Sequence, residues 1–179
     1  MGPSSRSLIS ILISAFVALV APLEARGGSG ELVLAPALTR ELNAVLQSGD
    51  ELRVSLIQQN DEQTDIGVRD LMKQIDRARA LSHLAKPYER SHLLRILDAA
   101  RENFEVVQSS YGNARRDQLE EGYNQLVNLV RIYKLDRTYA IFFCPKDKTS
   151  WVQKTGKAQS PFTPAQTGGR EPCGMRITK

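Results

Sequence analysis

Residues 93–107 read LLRILDAARENFEVV, and this stretch decides the fold. Its apolar side chains recur at the i, i+4, i+7, i+11 and i+14 positions, a spacing that places them on one face of a helix. They are Leu93, Leu97, Ala100, Phe104 and Val107. Pro87 suits the first turn of this helix, where its missing N–H costs nothing. The stretch therefore predicts an amphipathic helix that buries this face against other helices.

Three further blocks repeat this period on either side. Their apolar residues are Leu38, Leu42, Val45, Leu52 and Leu56, then Val68, Leu71, Met72, Ile75, Ala78 and Leu81, then Leu119, Tyr123, Leu126, Val127, Val130 and Tyr133. Polar turns separate the blocks, at residues 60–65 and 111–113. Four amphipathic helices joined by short turns predict an all-α fold, an antiparallel up-and-down four-helix bundle over residues 34–136.

Gly49 stands at the skipped position of the first stripe, between Val45 and Leu52. Helix propensity favours a break at Gly49, whereas the unbroken period favours one continuous helix. A glycine there can also let a neighbouring helix approach closely. We predict one helix with a weak point at Gly49.

The beginning of the chain has the pattern of an export signal. A single positive charge, Arg6, precedes an apolar run from Leu8 to Ala21, whose 14 residues are fewer than the roughly 20 needed to cross a bilayer. We predict a signal peptide over residues 1–25, a flexible spacer over 26–33, and a periplasmic or secreted chain that is not transmembrane after cleavage. The alternative is an uncleaved N-terminal anchor.

The helical pattern stops after Asp136. The segment 139–143 is aromatic and β-prone, and the rest of residues 137–179 carries mostly proline and glycine turn signals. We predict an irregular, loop-rich tail packed on the bundle. Trp151 and Phe162 are the predicted anchors of this tail.

Two cysteines, Cys144 and Cys173, occur in the chain, and both lie in this tail. In the oxidising compartment that export implies, the pair predicts a disulfide bond that clasps the tail. The alternative is a soft-metal site in which Cys144, Cys173 and Met175 bind copper(I) through thiolate and thioether sulfur. That site requires reduced cysteines.

Other chemistry-bearing residues are few. His83 and His92 flank Pro87 and could meet at one turn to bind a metal, but a surface or helix-capping role is the favoured interpretation. The sequence contains no Gly-x-Ser-x-Gly elbow, phosphate-binding loop, His-Glu-x-x-His or Cys-x-x-Cys-His motif. We therefore predict a protein that is not an enzyme and has no resident cofactor.

The net charge of +4 is unevenly distributed. Residues 26–136 hold 15 basic and 17 acidic residues, whereas residues 137–179 hold 8 basic and 2 acidic ones. A basic tail favours an acidic protein or an anionic envelope surface as partner, and export argues against nucleic acid. The favoured interpretation of the charge run by itself is a basic tail that is simply solvated.

Four short tail segments resemble a known pattern. They are Cys144-Pro145-Lys146, Trp151-Val152-Gln153-Lys154, Ser160-Pro161-Phe162 and Cys173-Gly174. They resemble the Cys-Pro-Met, Trp-Leu, Asn-Pro-Tyr and Cys-Gly signature of an uncharacterised periplasmic helical domain family, found alone or fused to periplasmic adaptor subunits of copper and silver efflux systems. The resemblance implies a periplasmic helical domain tied to heavy-metal handling. Lys146 stands where the family has methionine, which places a cation beside the first cysteine.

These observations predict an exported, non-enzymatic helical binding or accessory module. A copper-type metal-binding protein linked to heavy-metal efflux is the first alternative. A surface-interaction protein that uses its basic tail is the second.

Overall fold

The computed structural model describes residues 31–163 and 173–177. The predicted signal peptide and residues 26–30 of the predicted spacer lie outside the described residues. Within the described part of the chain, no helix is both long enough and apolar enough to cross a membrane.

Four α-helices make up most of the described chain. They are α1 (Pro36–Ile57), α2 (Asp61–Ala80), α3 (Pro87–Val107) and α4 (Gly112–Ile132), and a short 3-10 helix, Leu81–Leu84, follows α2. The four predicted helices are therefore confirmed. Gly49 lies inside the continuous α1, as the unbroken period predicted.

Local chemistry accounts for the helix starts. Prolines stand at the first turns of α1 and α3, where no amide hydrogen is needed. The Asn60 side chain accepts a hydrogen bond from the Gln63 amide at 3.0 Å and so caps α2. Acidic residues in the first turn of α2 and Arg77 and Arg79 in its last turn complement the helix dipole.

The tail contains a sheet that the all-α prediction missed. Its strands are β1 (Tyr139–Cys144), β2 (Thr149–Lys154) and β3 (Met175–Arg176), in the order β2-β1-β3 with both pairs antiparallel. The fold is thus mostly helical with a small three-stranded sheet. The prediction of an irregular, loop-rich tail is wrong for the residues that form these strands. The prediction treated the proline and glycine residues as signs of loop structure along the whole tail. Several of them mark only the connection between two strands.

Glycines let the helices approach closely at two places. A Cβ on Gly49 would lie 2.7 Å from Leu126 Cδ1, and one on Gly122 would lie 2.6 Å from Phe104 Cζ. The Tyr123 hydroxyl also donates to the Gly49 carbonyl at 2.7 Å. α4 therefore approaches α1 closely at Gly49 and α3 closely at Gly122.

The sheet covers the side of the molecule where α1 and α4 come together. These two helices contact each other less than α1 contacts α2 or α3 contacts α4, and β2 packs against both of them. Trp151 of β2 and Tyr123 of α4 are fully buried. The tail therefore completes the hydrophobic core and is not an appendage to it.

The N-terminal segment joins the core before α1 begins. The Leu32 amide donates to the Ile132 carbonyl at 2.8 Å, and the Lys134 amide donates to the Leu32 carbonyl at 2.9 Å. These bonds form a parallel bridge between Leu32 and Tyr133. Residue 32, which the sequence places in the flexible spacer, is thus held against the end of α4.

Candidate functional site

The disulfide clasp consists of the Cys144–Cys173 bond and the strands β1, β2 and β3. Cys144 ends β1 and is wholly buried, and Cys173 lies two residues before β3. The two sulfur atoms are bonded, with 5.3 Å between the Cα atoms, and the cysteines are 29 positions apart in sequence. The predicted disulfide is confirmed, and it holds the short β3 strand against β1.

Trp151 lies at the centre of the clasp with no exposed surface. Its ring stacks on Phe142 with 6.0 Å between centroids, and its Nε1 donates to Gln153 Oε1 at 2.9 Å. The same Gln153 oxygen accepts from the Gln159 amide, and the Gln153 side-chain amide donates to the carbonyls of Lys154 and Lys157. The buried Gln153 therefore accepts the hydrogen bond of the Trp151 ring nitrogen and also holds the segment after β2 by hydrogen bonds.

Phe162, the second predicted anchor, lies against α4. Its ring meets Tyr123 edge-on at 5.6 Å between centroids. The Ser160 hydroxyl accepts hydrogen bonds from the amides of Phe162 and Thr163, each at 3.2 Å. This serine turn directs the Phe162 ring into the core, where aromatic edge-to-face contacts add to the stability of burial.

Gly174 explains the Cys-Gly ending of the tail pattern. Its backbone has a φ of +154°, and a Cβ there would lie 2.6 Å from the Trp151 ring. Any larger residue would therefore collide with the buried tryptophan. The pattern residues Cys144, Trp151, Cys173 and Gly174 thus form one packed unit, although they are distant in sequence.

The predicted metal ligands lie near one another in the structure but are differently engaged. Cys144 and Cys173 are bonded to each other, so neither offers a thiolate while the bond is intact. Met175 of β3 is half exposed. Residues 31–163 and 173–177 contain no group of three or more His, Cys, Asp or Glu side chains arranged to hold a metal. Copper binding stays a prediction that requires reduction of the disulfide.

The two histidines have separate local partners. His83 Nδ1 lies 2.9 Å from the Ala80 carbonyl at the end of α2, which is a capping contact. His92 Nδ1 lies 3.4 Å from the hydroxyl of Tyr133, the residue that follows α4. The His92 contact therefore links the beginning of α3 to the end of α4.

A pocket of about 250 Å³ opens where α4 ends and the sheet begins, and we call it the junction pocket. Its lining is made of Glu31, Val130, Tyr133, Leu135, Asp136, Arg137, Tyr139 and Arg176. Arg176 reaches it because β3 pairs with β1, in a register that places Arg176 opposite Phe142. The disulfide clasp therefore contributes a cation to the pocket.

Both pocket tyrosines are neutral at physiological pH. Burial raises the pKa of Tyr133 to about 12, with a smaller contribution from the charge of Glu89. Burial also raises the pKa of Tyr139, and the neighbouring Asp50 adds to the shift. Their hydroxyls therefore serve as hydrogen-bonding groups and not as anions. No pattern in the sequence indicates this pocket, because its lining comes from three distant segments.

The three lysines of the hairpin formed by β1 and β2 do not form one patch. Lys146 and Lys148 lie in the turn between β1 and β2, whereas Lys154 ends β2 opposite Tyr139. Five residue steps of about 3.3 Å each separate the two ends of the hairpin, roughly 17 Å. This distance exceeds the Debye length of about 8 Å at physiological salt, so the two groups act separately on a partner.

Comparison of the chain with protein-family models, with curated proteins and with solved structures finds no match. The resemblance of the tail to the periplasmic domain family rests on the quoted residues alone and stays a prediction.

Proposed function

We propose that this chain is an exported, non-enzymatic binding or accessory module whose four helices form an antiparallel up-and-down bundle. The short connections support this arrangement, since residues 58–60 join α1 to α2 and residues 108–111 join α3 to α4. Connections of this length bring neighbouring helices together in opposite directions. The disulfide clasp then seals the side of the bundle between α1 and α4.

The observation that carries the export proposal is the Cys144–Cys173 bond itself. Disulfides persist in secreted and periplasmic proteins and are rare in the reducing cytosol. The bond agrees with the charged and apolar segments at the beginning of the sequence, which have the order of a signal peptide. The two features are independent, because one lies in the first 25 residues and the other near the end.

The junction pocket supports a binding role. Its lining combines two tyrosines, two arginines and two carboxylates with the aliphatic side chains of Val130 and Leu135. A few polar groups on an apolar lining fix the orientation of a ligand. The pattern residues that suggest the periplasmic domain family support an accessory role beside an envelope system, since they are the residues that build the clasp.

Fractionation of cells that produce the chain with its own first 25 residues tests the proposal. We expect a shortened chain in the periplasm with no free thiol on titration in denaturant without reductant. The control variant Phe16→Arg/Leu19→Arg disrupts the apolar run, and its product should stay in the cytoplasm with two free thiols.

Two results would count against the proposal. A full-length wild-type chain in the cytoplasm with reduced cysteines would refute export. An exported chain with two free thiols and bound copper would instead favour the metal-binding alternative through Cys144, Cys173 and Met175.

A further inference from the structure

Three sets of contacts place the N-terminal segment, the start of α3 and the end of α4 at one end of the molecule. Leu32 pairs with Tyr133, and the Tyr133 hydroxyl meets His92. The Asp136 amide donates to Asn43 Oδ1 of α1 at 2.9 Å. We call this the exit end, because the chain passes there from the described residues to residues 1–30.

The opposite end contains the turns between α1 and α2 and between α3 and α4. There Arg115 of α4 forms an ion pair with Asp65 of α2 at 2.7 Å. Each helix therefore contributes one half to the exit end and one half to what we call the far end. We divide the helices near their midpoints to compare the charges of the two halves.

Charge is strongly segregated between these halves. The exit half, residues 31–46, 71–97 and 122–137, holds 10 basic and 5 acidic residues, a net of five positive charges. The far half, residues 47–70 and 98–121, holds 5 basic and 12 acidic residues, a net of seven negative charges. The segregation is hidden along the sequence, because the chain passes from one half to the other along every helix.

The cations of the two halves also differ in their partners. Four of the five far-half cations form ion pairs within the described chain: Arg53, Arg101, Arg115 and Arg116. Seven exposed exit-half cations take part in none of the ion pairs found among residues 31–163 and 173–177. They are Arg40, Arg77, Arg90, Arg95, Arg131, Lys134 and Arg137. The positive charge of the exit end is therefore presented to solvent, whereas the far-half cations mostly neutralise nearby acids.

Exposed apolar side chains accompany these cations. Tyr88, in the first turn of α3, is 85 % exposed, and Leu84, at the end of the 3-10 helix before it, is 41 % exposed. Val33 in the N-terminal segment is 69 % exposed. Tyrosine rings favour the headgroup region of a membrane, and lysine and arginine favour anionic lipid. The exit end combines both features.

We propose that the exit end docks on an anionic phospholipid surface, with the far end directed away from it. Exposed arginines and lysines beside an exposed tyrosine support an anionic lipid surface as the occupant. The negative far end opposes the reverse orientation. The proposal rests on the proposed export of the chain.

Sedimentation with lipid vesicles tests the orientation. The oxidised chain, as purified from cells, is mixed with phosphatidylcholine vesicles with and without phosphatidylglycerol. We expect binding only when phosphatidylglycerol is present, and release at about 1 M salt, where the Debye length is about 3 Å. Each cation near an anionic surface strengthens binding about fivefold. The variant Arg90→Gln/Lys134→Gln/Arg137→Gln should therefore bind about a hundredfold more weakly.

The matched control removes the same charge elsewhere. Arg69→Gln/Lys146→Gln/Lys148→Gln replaces one far-half cation and the two lysines of the hairpin turn, all exposed. We expect its binding to change less than about threefold, with the same helix content as the exit-end variant by circular dichroism. Equal binding by both variants, or a larger loss in the control, overturns the proposal, and the second result indicates the basic tail as the contact.

A tyrosine pair tests the apolar contribution separately. Tyr88→Ser should weaken vesicle binding severalfold, whereas Tyr111→Ser, at the similarly exposed far-end residue, should not. Equal effects of the two changes would contradict the assigned orientation. Absence of binding to phosphatidylglycerol would refute docking while leaving export untouched, because export is measured by fractionation and thiol titration.

Discussion

Removal of the disulfide should separate the stability of the clasp from that of the helices. In the chain-entropy model, a bond between cysteines 29 residues apart stabilises the fold by about 3.6 kcal/mol at 25 °C. Cys144 is wholly buried, so alanine is a better replacement than serine. We expect Cys144→Ala/Cys173→Ala to lose about 3 to 4 kcal/mol of unfolding free energy, a large share of the 5 to 15 kcal/mol typical of a domain.

Urea unfolding followed by tryptophan fluorescence measures this loss. Trp151 is the one tryptophan of the chain and is buried in the clasp, so its emission reports the sheet, whereas far-ultraviolet circular dichroism reports the helices. We expect both transitions of the variant to move to lower urea, since the sheet completes the helical core. A loss below about 1 kcal/mol would refute the structural role of the bond. A fluorescence transition that shifts alone would refute the shared core.

Three further predictions concern the core and the clasp. Gly122→Ala should lower the unfolding free energy by about 1 to 2 kcal/mol in urea titrations, because overpacking against the Phe104 ring outweighs the gain in helix propensity. Gly49→Ala should be nearly neutral, since its contact is the mobile tip of a leucine, and an equal loss in both would contradict this steric argument. Gln153→Ala should cost about 2 to 4 kcal/mol by leaving buried partners unsatisfied, and a thermal shift below about 3 °C would contradict that role. Burial raises the pKa of Tyr123, so the tyrosine of the unfolded chain ionises first as the pH rises above about 10. The free energy of unfolding should therefore fall above this pH. Tyr123→Phe should reduce this loss, as measured by stopped-flow unfolding.

The helices were predictable because their apolar period is long and regular. Leu93, Leu97, Ala100, Phe104 and Val107 are all fully buried, as their spacing predicted. The prediction was less accurate at the end of the second helix. The apolar stripe extends to Leu81, whereas α2 stops at Ala80 and the chain continues as a 3-10 helix. Short connections near a proline offer no periodic signal that would distinguish these two conformations.

The sheet was only partly predictable. The segment 139–143 was identified as β-prone, and it forms most of β1. The strand β2 holds Trp151 and Val152, which favour sheets, but the surrounding turn residues obscured it. The strand β3 has two residues and depends on the disulfide and on its pairing with β1, so no local pattern could reveal it.

The junction pocket and the charged ends depend on tertiary structure. The pocket joins Glu31, the end of α4 and Arg176, which are separated by up to 145 positions in sequence. The sequence showed an excess of cations only in the tail, because opposite charges of the two ends nearly cancel along each helix. Folding separates these charges, so that the exit half carries a net positive charge and the far half a net negative one.

Peptide mapping of the chain purified from its producing cells tests the central claim of an exported, disulfide-clasped module most directly. The thiols are alkylated at harvest, and the protein is digested without reductant and analysed by mass spectrometry. The account predicts an N-terminus at Arg26 and a linked pair of peptides that contains Cys144 and Cys173. An N-terminus at Met1 together with alkylated Cys144 and Cys173 would contradict it.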